Sequence, residues 1–131
     1  MIYLVDSDAV IDYLKGFDSS VVFLSGLAND DNDLCTCSVV IAEVFSGLAL
    51  QEQAPARGLL DSYRFLSTSE AAARQAGEWR FQFRTRGVTL STTDMLLAAT
   101  ALEHGSAVIT GNLAHFPMPD VNLVPLPRAN I

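Results

Sequence analysis

Short strand-like runs alternate with helix-like segments along this chain, and that alternation limits the folds open to it. Ile2 to Asp6 is a short apolar run followed at once by turn-prone Ser7 and Asp8, the pattern of a buried strand. Leu34 to Cys37 and Ala107 to Thr110 read the same way, with shorter candidates at Phe65 to Thr68 and Leu123 to Leu126. Between them, helices are expected over 9–14, 19–27, 39–50 and about 55–63, then from Ser69 to Gly87 and over 92–104. Ser38 and Ser91 are placed to cap two of these and Ser69 begins a third, while Gly87 and Gly105 end two. Strands that alternate with helices build a parallel sheet covered on both faces. The expectation is therefore one α/β domain over 1–131, with a parallel central sheet of about four to five strands flanked by helices.

Composition removes several classes. With 131 residues, half of them hydrophobic, the chain can bury a core without staples. No stretch approaches the roughly 20 apolar residues of a membrane span, and no basic stretch leads into an apolar signal core, so a cytoplasmic protein without membrane contact is expected. Cys35 and Cys37 would share a strand face and read as buried free thiols, because His104 and His115 are poor candidates to complete a zinc site. A net charge of −7 opposes nucleic acid at long range. The cations are unevenly spread, however: Arg74, Arg80, Arg84 and Arg86 share one stretch, far from the acidic loop of Asp30, Asp31 and Asp33.

Three acids stand out. Asp6 closes the first strand, Glu43 interrupts the apolar stretch Val39 to Phe45, and Asp94 opens the apolar segment that follows Ser91. Each has an ordinary explanation: Asp6 as a helix cap, Glu43 as a solvated helix position, and Asp94 as part of a capping box with Ser91. Yet a carboxylate in apolar sequence is costly to bury without a positive partner, and no Arg or Lys lies within a helical turn of Glu43. Ligands of such sheets collect beyond the carboxyl ends of the strands, where Asp6, the start of the Glu43 helix and the Thr110-Gly111-Asn112 turn all fall. Hard cations such as Mg²⁺ and Mn²⁺ take carboxylate and water oxygens, and can activate water against a phosphodiester.

Four segments resemble the PIN-domain nucleases, in that family's order: Val5 to Leu14, Ser38 to Leu48, Thr93 to Leu102 and Val108 to Phe116. The likeness covers nearly the whole chain, and the size resembles the VapC-type toxins of toxin–antitoxin modules. The resemblance implies a Mg²⁺- or Mn²⁺-dependent endoribonuclease acting on tRNA, rRNA or mRNA. It implies Asp6 and Asp94 as principal metal ligands, with Glu43 as a third acid binding directly or through water. Ser7, Ser38 and Asn112 are implied in support. A homodimer and a cognate antitoxin that blocks the active-site groove are implied as well. Many relatives carry a fourth acid where this chain has Asn112 or His115, so one tightly held ion is expected rather than two.

Arg80, Arg84 and Arg86 offer a track for RNA phosphates, Arg80 and Arg84 sharing a helix face. Two other functions compete. Asp6-Ser7-Asp8 mimics the acid pair of haloacid-dehalogenase-like phosphatases, but the sole lysine is Lys15 and Asp94 has no acidic neighbour. A catalytically weak PIN-like module that only binds RNA or protein is the other, resting on the absent fourth acid.

Overall fold

The computed structural model describes residues 1–128. Five strands form one all-parallel sheet in the order β3-β2-β1-β4-β5: β1 Ile2–Val5, β2 Asp33–Thr36, β3 Arg64–Phe65, β4 Ala107–Thr110 and β5 Leu123–Pro125. Six helices connect them: α1 Ser7–Leu14, α2 Asp18–Asn29, α3 Ser38–Ser46, α4 Gln53–Asp61, α5 Glu70–Arg84 and α6 Thr92–Glu103. The all-parallel sheet follows from the alternation. Parallel strands need long crossovers, and the helices that supply them cover both faces.

The central strands β1 and β4 are correspondingly apolar for most of their length. Leu4, Val5, Val108 and Ile109 have no exposed surface at all. Helix α6 is buried on several sides through Met95, Leu97, Ala98, Ala99, Thr100 and Ala101, and packs against α3, α5 and β4. A helix apolar all round belongs inside. The mostly small side chains of Ala98, Ala99 and Ala101 admit such close neighbours.

Element boundaries depart from expectation where local bonding outweighs pattern. Helix α3 begins at Ser38 and stops at Ser46, with Cys37 at its N-cap position, so Ser38 is the first helical residue and not the cap. A separate 3-10 turn, Leu50–Glu52, precedes α4 and is closed by Glu52 accepting from the Ala49 amide at 2.9 Å. Pro55 sits inside the first turn of α4, where its missing N–H has no helical partner to lose. The expected strand from Phe65 to Thr68 shrinks to Arg64–Phe65, although Leu66 N still donates to Thr36 O at 2.8 Å. Helix α1 starts at Ser7 because Asp6 caps it. Ser91 caps α6 as expected and Ser69 caps α5, and the left-handed Gly87 (φ 78°) and Gly105 (φ 66°) lie just beyond their ends.

Candidate active site

The site grows from the carboxyl edge of β1 and β4. Asp6 leaves β1 with extended backbone and caps α1, its Oδ1 accepting from Ser7 N at 2.7 Å. Its Oδ2 accepts from Thr110 Oγ1, at the end of β4, at 2.8 Å. Thr110 is fully buried and Asp6 only 5% exposed. Capping and burial are thus compatible in one residue: the cap fixes the carboxylate at the strand edge. Burial, and secondarily the charge of Asp8, hold the Asp6 carboxyl up at about 6, against the opposing hydrogen bonds from Thr110 and Ser7.

Glu43 projects from the second turn of α3. Ser7 Oγ donates to its Oε1 at 3.3 Å and lies 3.5 Å from Asp6 Oδ1, which links the two acids through one hydroxyl. Burial raises the Glu43 carboxyl too, with the charges of Asp94 and Asp8 adding to it. Asp94 enters from the first turn of α6. Its amide donates to Ser91 Oγ at 3.1 Å, one half of the expected capping box, while its carboxylate Oδ2 lies 3.3 Å from His115 Nδ1. The charge of Asp94 raises both Asp6 and Glu43, so three acids drawn from β1, α3 and α6 share one electrostatic field.

Asp8 does more than cap. Its Oδ1 accepts from Ala9 N at 2.8 Å. Its Oδ2 takes Gly111 N at 2.8 Å, Asn112 Nδ2 at 3.2 Å and Arg128 at 3.0 Å. Arg128 also reaches Asp12 at 3.3 Å and presses on Gly111, where an added Cβ would stand 2.5 Å from the guanidinium carbon. Sequence reading placed Thr110 at this edge but not its bond to Asp6, and it missed Asp12 and Arg128. Thr110 carried a signal in its position at a strand end. Arg128 carried none, being 120 residues from Asp8.

Among the supporting residues, Ser7 and Asn112 lie at this edge, whereas Ser38 is exposed in the first turn of α3. Arg80 Nε donates to the Leu90 carbonyl at 2.9 Å, tying the loop before α6 to α5. Arg84 and Arg86 are exposed, stacked 6.0 Å and 4.4 Å from the ring centres of Phe81 and Phe83. The three arginines therefore do not present one continuous row.

Among the described residues, neither Asp6 nor Glu43 has an ion-pair partner, while Arg128 is committed to Asp8 and Asp12. Oxygen donors that repel one another and lack cations suit a hard divalent ion. Among the same residues, no three acidic, imidazole or thiol groups stand as a ready set of direct ligands. Water must therefore complete the coordination of any ion held there.

The chain is thus an all-parallel α/β sheet with acids gathered at its carboxyl edge. The PIN domain model matches residues 3–116, and the chain belongs to that family. Ribonuclease VapC10 of Mycobacterium tuberculosis is 34% identical over 115 residues, covering 88% of this chain and 86% of that protein. Ribonuclease VapC19 of the same organism is 28% identical over 119 residues, covering 90% of this chain and 95% of its own length. In shape, the chain is similar to VapBC2 from Rickettsia felis, solved bound to a DNA fragment from its promoter: TM-score 0.83 at 24% identity, covering 95% of this chain and 98% of that one. The phosphatase reading falls with the family assignment. Among the described residues no helix is long and apolar enough to cross a membrane.

Proposed function

We propose that this protein is the endoribonuclease toxin of a toxin–antitoxin pair, using Mg²⁺ or Mn²⁺ to cut RNA phosphodiester bonds, and that it acts in the cytoplasm as a homodimer. One observation carries the reading: Asp6 and Glu43 are packed against the fold with no cation beside them, and both feel the charge of Asp94. Asp6 and Asp94 are the residues we assign to hold the ion, with Glu43 reaching it through water. Bound there, the ion would supply an acidified water and positive charge for the phosphate.

The chain's own groups prepare that chemistry. Thr110 and Ser7 N fix both oxygens of Asp6, so its carboxylate is oriented before anything binds. Ser7 Oγ holds Glu43 in the same pocket and leaves its second oxygen free to take a proton from water. His115, half exposed beside Asp94, is a candidate donor to the phosphate or leaving oxygen. For the antitoxin, we assign the apolar groove of about 420 Å³ between α1, α3 and the start of α4, lined by Ile11, Leu14, Val44, Leu48 and Pro55. It shares α3 with Glu43, and a segment seated there would lie along the helix that carries that acid.

Purified protein incubated with total RNA and Mn²⁺ or Mg²⁺ tests the assignment, alongside Asp6→Asn and Asp94→Asn. Cutting that stops with chelator and is lost in both variants is expected. Equal cutting by wild type and variants would identify a contaminant and remove the proposal.

A further inference from the structure

Helices α5 and α6 form an antiparallel hairpin. Ser69 N, at the start of α5, donates to Glu103 at the end of α6 at 3.3 Å, and near the other end Arg80 holds the Leu90 carbonyl. The turn between them, 85–91, therefore lies beside the first turn of α6, where Asp94 stands. Arg84 ends α5 and Arg86 follows in this turn. Three backbone bonds close it: Arg86 N to Phe83 O and Gly87 N to Arg84 O, both at 3.0 Å, and Val88 N to Phe83 O at 2.9 Å. Both arginines are exposed, and each is braced on a ring, Arg84 on Phe81 and Arg86 on Phe83.

What their guanidinium groups leave free sets these two apart. Arg64 and Arg74 donate to Asp33 and Glu70, Arg128 to Asp8 and Asp12, and Arg80 to the Leu90 carbonyl. Among the described residues, Arg84 and Arg86 have no ion-pair partner, although the chain carries a net charge of −7. A cation in the last turn complements the helix dipole, which accounts for Arg84, but Arg86 lies beyond the C-cap Thr85. Stacking occupies the face of a guanidinium and leaves the N–H groups at its edge, the fork that grips phosphate oxygens. A side chain already braced also loses less rotamer freedom when a ligand arrives.

We infer that the α5–α6 turn carries the RNA strand past the acids, with Arg84 and Arg86 gripping phosphates on one side of the phosphate that is cut. Two open forks in one closed turn suit a ligand with repeated anionic groups, and a single strand supplies a phosphate at every nucleotide. Carboxylates of a protein segment would fit the same forks. The neighbouring Asp94, which we assign to an ion facing a phosphodiester, is what favours RNA.

The inference rests on the ribonuclease reading, and binding measured without metal separates their failures. A short fluorescein-labelled single-stranded RNA of mixed sequence is titrated in chelator, and log Kd is followed against log salt between about 50 and 200 mM. The Arg84→Gln, Arg86→Gln double variant should lower the slope by about 1.4 and weaken binding by roughly 10–30-fold. Replacing both by lysine should keep the slope but weaken binding about threefold, because charge remains while the fork and the ring contact are lost. Phe81→Leu should leave the slope unchanged and weaken binding about twofold. Arg74→Gln, whose partner is Glu70, is the control for charge in general. An undetectable wild-type complex or an unchanged slope in the glutamine variant overturns the inference, as does an equal fall in Arg74→Gln. A glutamine variant that loses its homodimer or its antitoxin while RNA binding stays intact would give the turn to a protein partner, and also overturns it. The expected slope change without metal-dependent cutting would keep the turn and remove the nuclease reading. Wild-type cutting with an unchanged slope in the variant would do the reverse.

Discussion

Asp6→Asn is expected to stabilise the metal-free protein while abolishing cleavage. At about 1.4 kcal/mol per tenfold change in proton affinity, the rise of Asp6 from 3.8 to about 6 makes its ionised form cost the native state about 3 kcal/mol. The sign follows from proton counting. Between pH 3.8 and about 6 the folded protein holds a proton on Asp6 that the unfolded chain has lost, so stability falls as pH rises through that window. Below it the cost is absent, and above it the cost is complete. Asparagine removes the charge but leaves only one acceptor oxygen for two donors, Ser7 N and Thr110 Oγ1. That loss is worth about 1 kcal/mol, and the net gain at pH 7.5 is about 2 kcal/mol.

Denaturant unfolding in chelator measures it, with wild type and variant compared at pH 4.5 and 7.5. Taking the difference between the two proteins isolates Asp6 from other titrating groups. The variant should lead at pH 7.5 and lose that lead at pH 4.5. Adding Mg²⁺ should then stabilise only the wild type, by about 2.7 kcal/mol at one hundred times Kd. A variant less stable than wild type in chelator at pH 7.5, or a difference that does not change with pH, would refute the reasoning.

Thr110→Val should push Asp6 still higher, by about one pH unit in a metal-free carboxyl titration by NMR, because a charge-assisted bond is lost. Arg128→Ala should cost about 1–2 kcal/mol by losing its pairs with the mostly covered Asp8 and Asp12. Gly111→Ala should cost no more, and the double mutant should fall well short of the sum, since the new Cβ displaces the same flexible guanidinium. Arg80→Ala should lower stability by about 1 kcal/mol and leave the salt dependence of RNA binding unchanged. Replacing Arg84 and Arg86 together should reduce that slope by about 1.4.

Features set by local sequence were legible, and those set by distant contacts were not. Asp6, Glu43 and Asp94 stood out as candidates because they close, interrupt and open apolar runs, and such runs encode the strands and buried helices beside them. The sheet was legible from alternation alone. Helix ends were not: Cys37 at the α3 cap position makes no side-chain cap bond to announce it, and the 3-10 turn at Leu50–Glu52 is closed by a Glu52 side-chain bond that apolar patterning does not reveal. Counting cations within one helical turn of each acid had the same limit. Arg128 arrives from the far end of the chain, and only the parallel pairing of β5 with β4 brings it to Asp8. The Arg80 bond was hidden for the same reason: helical spacing gives a face, but the Leu90 carbonyl that engages Nε comes from the next loop.

That late-arriving arginine divides the acids of the sheet edge into two sets. Asp8 and Asp12 share Arg128, and Asp8 also takes the Gly111 and Asn112 nitrogens on the same oxygen, so its charge is spent inside the protein. Asp6, Glu43 and Asp94 keep theirs, apart from the His115 contact. Asn112 turns its amide toward Asp8 and adds no charge to the second set. Three carboxylates against one divalent ion already leave an excess negative charge, and a bound phosphate increases it. A second ion would need a further anionic ligand, and the nearest, Asp8, would have to give up Arg128. On the proposed reading, the arrangement favours a single metal, with His115 as the group adjacent to Asp94.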